Sequence, residues 1–320
     1  MTFAPEHHQN LATLVSAAEI FERVNYRTAV RAVQNALTAG LNPAQDFARQ
    51  VLPVANGQLL LMPTEAADFV GIKVASVAPG NPALGRERIQ GVYLLLDAVT
   101  LTPLSLLDGA AITTLRTPAV SAAAADYLAP AEVEHLVVFG SGPQAWGHIE
   151  AMRAIRSINR VTIVGRDQAR AALFAARVTD NGLPARVGTA AGVASAQLVV
   201  CATTARTPLF DGSLVPDECC IVAVGSHEAD ARELDSALLG RSQVVVEDLA
   251  TAKREAGDVI LAVFEGAIGP TDLVPLRDIV LGTAEIDPHR PRIFKSTGMS
   301  WEDLVIATAV YQAGARHGQR

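Results

Sequence analysis

Along the first third of the chain the spacing of apolar positions changes from helical to strand-like. Ile20, Val24, Ala29, Val30, Val33 and Leu37 recur every three or four residues, which is the pattern of an amphipathic helix. Ser16-Ala17-Ala18-Glu19 provides a capping box at its start and Gly40 a stop, so one long helix is expected between them. Short apolar runs follow: Gln58–Met62 after the turn Ala55-Asn56-Gly57, then Val70–Val77 and Gly91–Asp97. Their close succession with short turns predicts a mostly antiparallel sheet. Thr113 to Ala129 reads as helix apart from Pro118, which should end or kink a turn.

From residue 134 the texture changes. Glu134–Phe139, Arg160–Val164, Ala185–Gly188, Leu198–Ala202, Cys220–Val224 and Val244–Glu247 read as strands, most of them separated by helical sequence. Strands joined by helical crossovers imply a parallel, doubly wound α/β sheet. A last helix is expected from Ser300 to about Ala315, with Ser300-Trp301-Glu302-Asp303 as its cap.

The first of these strands runs into Gly140-Ser141-Gly142-Pro143-Gln144-Ala145 and then helix. In a dinucleotide-binding turn, Gly140 permits the tight exit from the strand and Gly142 lets the backbone approach a pyrophosphate. The small Ala145 lets the helix pack close to the strand. Pro143 suits a first helical position, where its missing N–H removes nothing. A glycine turn alone is a weak signal; strand–turn–helix context makes it a nucleotide-cofactor site.

Composition narrows the class. Of 320 residues, half are hydrophobic, 18% are charged and 5% aromatic, and the net charge is −7. The acidic balance, without a basic run, argues against nucleic acid as a partner. Three cysteines, Cys201, Cys219 and Cys220, form neither a disulfide framework nor a CxxC pair, which fits a reducing compartment. Cys219 and Cys220 head an apolar strand and read as core. Seven histidines are scattered without ligand spacing, so no metal site is expected. Glu6, His7 and His8 are unlike the start of a leader peptide, and no apolar run approaches the roughly 20 residues that span a bilayer. These features describe a cytoplasmic enzyme without a membrane segment.

Several segments together resemble the ornithine cyclodeaminase/mu-crystallin family. They are Arg49-Gln50-Val51-Leu52-Pro53 with Leu61-Met62-Pro63, Gly71-Ile72-Lys73-Val74, and Leu107-Asp108-Gly109 with Thr113-Thr114-Leu115-Arg116-Thr117. The glycine turn at 140–145, Ala223-Val224-Gly225-Ser226-His227 with Arg232-Glu233-Leu234-Asp235, and Phe294-Lys295-Ser296-Thr297-Gly298 complete the set. The matches run in order from about residue 16 to 315. The resemblance implies a Rossmann dinucleotide-binding domain over 119–299. It also implies an α+β substrate and dimerisation domain over 1–118, completed by the C-terminal helix 300–320, and a homodimer.

Arg49, Lys73 and Arg116 lie beside apolar segments in a charge-poor region. A guanidinium clamps a carboxylate bidentately and lysine adds a point charge, so the three could form a carboxylate pocket; each could equally be a paired surface cation. Lys73 is hardest to explain as surface, because its strand looks buried and a buried lysine needs a partner. The resemblance places all three in the substrate site. It also puts Thr203, Val224, Ser226 and Ser296 beside the nicotinamide half of a cofactor. His227 is a departure, since the cyclodeaminases carry an aspartate there that acts on the amino group. His227 either packs near the cofactor or makes a polar contact or proton path to substrate.

Without that aspartate, ornithine cyclodeamination is disfavoured and the family's reductases fit better. The expected reaction is hydride transfer to the C=N carbon of a small cyclic imino acid, Δ1-pyrroline-2-carboxylate giving L-proline, with Δ1-piperideine-2-carboxylate giving L-pipecolate. Lys73 is the expected proton donor, its pKa depressed by the two arginines. Iminosuccinate reduction, in which Arg86 or Arg88 would hold a second carboxylate, and alanine dehydrogenation are the enzymatic alternatives. Small-ligand binding of the mu-crystallin kind is the non-enzymatic one. Arg166 after the second Rossmann strand favours NADPH, while the adjacent Asp167 keeps NADH open.

Overall fold

The computed structural model describes residues 12–317. Glu6, His7 and His8, on which the expectation of no leader peptide rests, lie outside the described residues. In chain order the first half contains β1 (Thr13–Val15), α1 (Ala17–Arg23), α2 (Tyr26–Thr38), β2 (Gln50–Val54), β3 (Gly57–Ala66), β4 (Phe69–Val77), β5 (Ile89–Asp97), β6 (Pro103–Asp108) and α3 (Gly109–Leu128). The expected single helix over 16–40 is two. The capping box at Ser16 and Glu19 forms, but Val24 is extended and Asn25 caps α2 by accepting from the Thr28 N–H. Asn25 competes for the backbone and restarts the helix.

The six strands lie in the order β1-β6-β5-β4-β3-β2, antiparallel except for β1 beside β6. One face is a buried row in which Met62, Lys73, Tyr93 and Leu107 are cross-strand neighbours. The opposite row, Pro63, Ile72, Leu94 and Leu106, is only half covered. Pro118 does not end α3, which continues for ten residues beyond it. Gly147 leaves room for its ring, since a Cβ there would stand 2.7 Å from Pro118 Cγ.

The second half contains β7 (Val133–Phe139), α4 (Pro143–Ile155), β8 (Ile158–Val164), α5 (Gln168–Asp180), β9 (Ala185–Val187), β10 (Leu198–Cys201), β11 (Cys220–Ala223), α6 (Ser236–Arg241) and β12 (Gln243–Val246). It continues with α7 (Leu249–Glu255), α8 (Gly257–Phe264), β13 (Leu273–Pro275), α9 (Leu276–Val280), β14 (Arg292–Lys295) and α10 (Ser300–His317). All eight strands are parallel, in the order β13-β12-β14-β11-β10-β7-β8-β9. This is a doubly wound Rossmann-type sheet. The order reverses between β7 and β10, and such a switch point is where open α/β sheets bind ligands. Cys201 and Cys220 are buried in this sheet, and Cys219 is buried just before β11. Helix α10 leaves it to pack on α2 and α3 and against β3, β4 and β5. No helix among the described residues is long and apolar enough to cross a membrane.

Candidate functional site

The glycine turn sits at the switch point. Gly140 has φ +114°, and a Cβ there would come within 2.5 Å of the Ala202 carbonyl oxygen at the end of β10; only glycine permits both. Gly142 faces open space and precedes α4 without any side-chain cap. The first N–H groups of α4 are therefore free to meet an anion. Ala145 is fully buried, and Gln144 Oε1 is buried without a hydrogen-bond partner. An open glycine cradle and an uncapped helix start fit a dinucleotide pyrophosphate. Arg166, after β8, is exposed. Asp167 accepts from the Arg170 N–H at 3.0 Å and caps α5.

The carboxyl edge of the parallel sheet gathers the remaining predicted residues. Thr203 follows β10, and its N–H and Oγ1 both donate to Glu233 at 2.9 and 2.7 Å. Glu233 also accepts from the Gly225 N–H at 2.7 Å, so one buried carboxylate ties the ends of β10 and β11 together. Val224 is half-buried, and the buried Ser226 hydroxyl donates to the Ala231 carbonyl. Lys295, at the end of β14, ion-pairs with Asp258 at 3.0 Å and donates to the Ser226 carbonyl at 2.7 Å. Ser296 donates to Glu247 at 2.5 Å, as do the Thr297 and Gly298 N–H groups. His227 stands exposed on this frame. Crowding by protein atoms and then the Arg49 charge hold its pKa below the ordinary histidine range. Its neighbour Glu228 is drawn off to Arg206.

Facing this edge, the first half contributes the three cations. Lys73, central in β4 and 3% exposed, has its Nζ 2.7 Å from Asp303 Oδ2 and donates to Thr113 Oγ1 at 3.3 Å. Arg116, buried in α3, meets Glu302 at 2.5 Å through Nη1 and Asp303 at 3.3 Å through Nε. A Cβ on Gly298 would overlap its guanidinium, so the loop after β14 rests on Arg116. Arg49, just before β2, pairs with Glu255 at 2.8 Å and donates to the Thr297 and Gly298 carbonyls, all through Nη2. Asp46 accepts from the Trp301 N–H at 2.9 Å, giving the start of α10 a cap from distant sequence.

Burial is the largest influence on Lys73 and lowers its pKa to about 8; Asp303 opposes this, while Arg116 and Arg49 add to it. The two arginines act in the expected direction, after burial. Burial also opposes the charge of Arg116, yet the carboxylates of Glu302, Asp303 and Glu247 hold its pKa above the usual value. Burial and the facing Glu247 push Glu302 well above the carboxylate range. Sequence reasoning missed every one of these carboxylates. The visible signal was Glu302-Asp303 in an otherwise apolar helix start, read there as capping. Among the described residues no cluster of three metal-ligating side chains occurs.

A doubly wound dinucleotide-binding sheet, with cations delivered to its carboxyl edge by an antiparallel sheet, defines the architecture. The chain belongs to the ornithine cyclodeaminase/mu-crystallin family, matching it over residues 11–317. It is 35% identical over 309 residues to a Δ1-pyrroline-2-carboxylate/Δ1-piperideine-2-carboxylate reductase of Azospirillum brasilense, covering 91% of this chain and 94% of that protein. Its fold is similar to that of Thermococcus litoralis Δ1-pyrroline-2-carboxylate reductase in complex with NADH and L-proline. There the TM-score is 0.89 at 28% identity, with 96% of this chain and 98% of that one covered. An archaeal alanine dehydrogenase dimer with bound NAD gives a TM-score of 0.90 at 28% identity, covering 96% and 97%.

Proposed function

We propose that this chain reduces Δ1-pyrroline-2-carboxylate to L-proline, accepts the six-membered Δ1-piperideine-2-carboxylate, and uses NADPH in preference to NADH. The observation that carries the reading is the meeting of Lys73, Arg116 and Arg49 beside the cofactor cleft, each with donors to spare. A guanidinium has five N–H donors and an ammonium three. Arg116 commits Nε and Nη1, Arg49 commits Nη2, and Lys73 engages Asp303 and Thr113. Arg116 Nη2, Arg49 Nε and Nη1, and one Lys73 N–H are left for a substrate carboxylate and ring nitrogen.

In this reading Arg49 and Arg116 bind the carboxylate and turn the C=N carbon toward the cleft. A bound reduced nicotinamide supplies the hydride to that carbon. Lys73 gives its proton to the ring nitrogen, so the imine becomes a secondary amine and Lys73 regains a proton from water. Its pKa of about 8 leaves it charged at neutral pH yet close to the ideal for a general acid. His227 borders the substrate; Gly140 to Ala145, Thr203, Val224, Ser226 and Ser296 border the cofactor. Arg166 receives the 2′-phosphate, because Asp167 is occupied as the α5 cap. The substrate and dimerisation unit comprises 1–118 and 300–320, the dinucleotide unit 119–299. The half-covered row Pro63, Ile72, Leu94 and Leu106 supports a homodimer, and the composition a cytoplasmic location.

One observation favours a second reading. Arg88 is exposed and close enough to His227 to lower its pKa, which suits the second carboxylate of iminosuccinate. Oxidation of reduced cofactor, followed by absorbance with each imine, tests both. Turnover with Δ1-pyrroline-2-carboxylate supports the first, and turnover with iminosuccinate alone replaces it.

A further inference from the structure

Helix α10 brings one carboxylate between the two cations at the centre of the site. Asp303 is fully buried, with Oδ2 2.7 Å from Lys73 Nζ and Oδ1 3.3 Å from Arg116 Nε. Its place is fixed from outside the helix by Asp46, which holds the Trp301 N–H. On its other flank Glu302 pairs with Arg116 and faces Glu247, so the whole first turn of α10 is anchored to the two sheets. An ion pair buried this deeply is weak evidence for stability, since desolvation offsets most of the attraction. A side chain that bridges two substrate-facing cations has another use.

We propose that Asp303 is the positioning residue of this site, aligning the Lys73 ammonium and the Arg116 guanidinium with one carboxylate and setting the pH at which Lys73 gives up its proton. This deepens the reductase reading and rests on it only where turnover is concerned. The charged and titratable groups around the pair are Arg116 from α3, Arg49 before β2, Tyr93 from β5, Asp46 before β2, and Glu302 beside it on α10. Arg116 and Arg49 oppose the Lys73 charge, and burial opposes it more. Asp303 is the group whose attraction offsets them; Thr113 adds a neutral acceptor. Tyr93, across the strand from Lys73, is itself pushed up by burial and by Asp303 and Asp46, so it stays neutral.

The chain has only three lysines, Lys73, Lys253 and Lys295, so isotope-labelled lysine gives three assignable side-chain NMR signals without any need for turnover. In Asp303→Asn the Lys73 titration is expected to fall by roughly 1 to 3 units, the effect of losing an adjacent opposite charge. The alkaline limb of kcat should move with it, and KM should rise as Arg116 loses a partner. Asp303→Glu keeps the charge and should leave the Lys73 titration within about half a unit of the parent, less than the roughly 1 to 3 units lost on removing the charge. A purely structural role would lower the melting temperature of both variants and leave the titration in place. A Lys73 signal titrating in Asp303→Asn as in the parent overturns the proposal. If Asp303→Asn does not fold, a fall in the Lys73 titration in Asp303→Glu overturns it. Titration shifts in a protein that turns over no imine would overturn the reductase reading and leave the role of Asp303 standing.

Discussion

Lys73 and Lys295 are both buried and both face carboxylates, but their surroundings differ in sign. Lys295 sits between Asp258 and Glu233 and donates to the Ser226 carbonyl, so one cation has two acidic neighbours and a dipole. Lys73 has one carboxylate, shared with Arg116, and a second arginine nearby. Burial, and after it the two arginines, ready the Lys73 proton to leave. Lys295 thus reads as a strut that holds the loop carrying Ser226 and His227. Lys73, on the opposite sheet, reads as the group that works.

Replacing each lysine by methionine breaks this comparison most sharply. Lys73→Met should cost about 10²- to 10⁴-fold in kcat, the range for losing a general acid. Cofactor affinity, measured by fluorescence of bound NADPH, should survive. Lys295→Met leaves Asp258 buried without its cation, which costs about 3–5 kcal/mol of stability. Denaturant unfolding should show that loss, with the folded fraction turning over far better than Lys73→Met. Next in size is the cofactor. Arg166→Ala should raise the KM for NADPH about tenfold, as for one charge-assisted hydrogen bond of roughly 1.5 kcal/mol, and leave the KM for NADH unchanged. Smallest is Cys219→Ala: the thiol is buried and its pKa pushed far up by that burial, so kcat and its pH profile should not move.

The pH dependence follows from the same contrast. The proton-giving form of Lys73 is the charged one, present below its pKa. Reduction should therefore hold steady below pH about 8 and fall as pH rises through it. In Lys295→Met the folded enzyme should keep that limb.

The parallel half was legible because β7, β10, β11 and β12 are buried on both faces and read as short continuous apolar runs. β14 escaped notice because Arg292 and Lys295 bracket two apolar residues. Both charges are satisfied out of sight, Arg292 by the Leu128 and Glu218 carbonyls and Lys295 by Asp258. β2 is a fully exposed edge strand containing Pro53, so it lacks the alternation that marks a strand. At the site, the cations stood out because charges are rare beside buried segments. Their carboxylate partners lie far away in sequence, on α7 and α10, and only tertiary packing joins them. The break at Asn25 was visible as a cap residue and lost to the stronger helical periodicity around it.

Central to the proposed reduction is a carboxylate-binding cation cluster that feeds a proton to an imine beside a nicotinamide cleft. Its most direct test is the rate of NADPH oxidation with Δ1-pyrroline-2-carboxylate across pH, with NADH in parallel. Turnover that prefers NADPH and declines above pH about 8 is the result predicted from the burial and surroundings of Lys73. Absence of turnover with either cofactor, or a rate that stays flat through that pH, would contradict it.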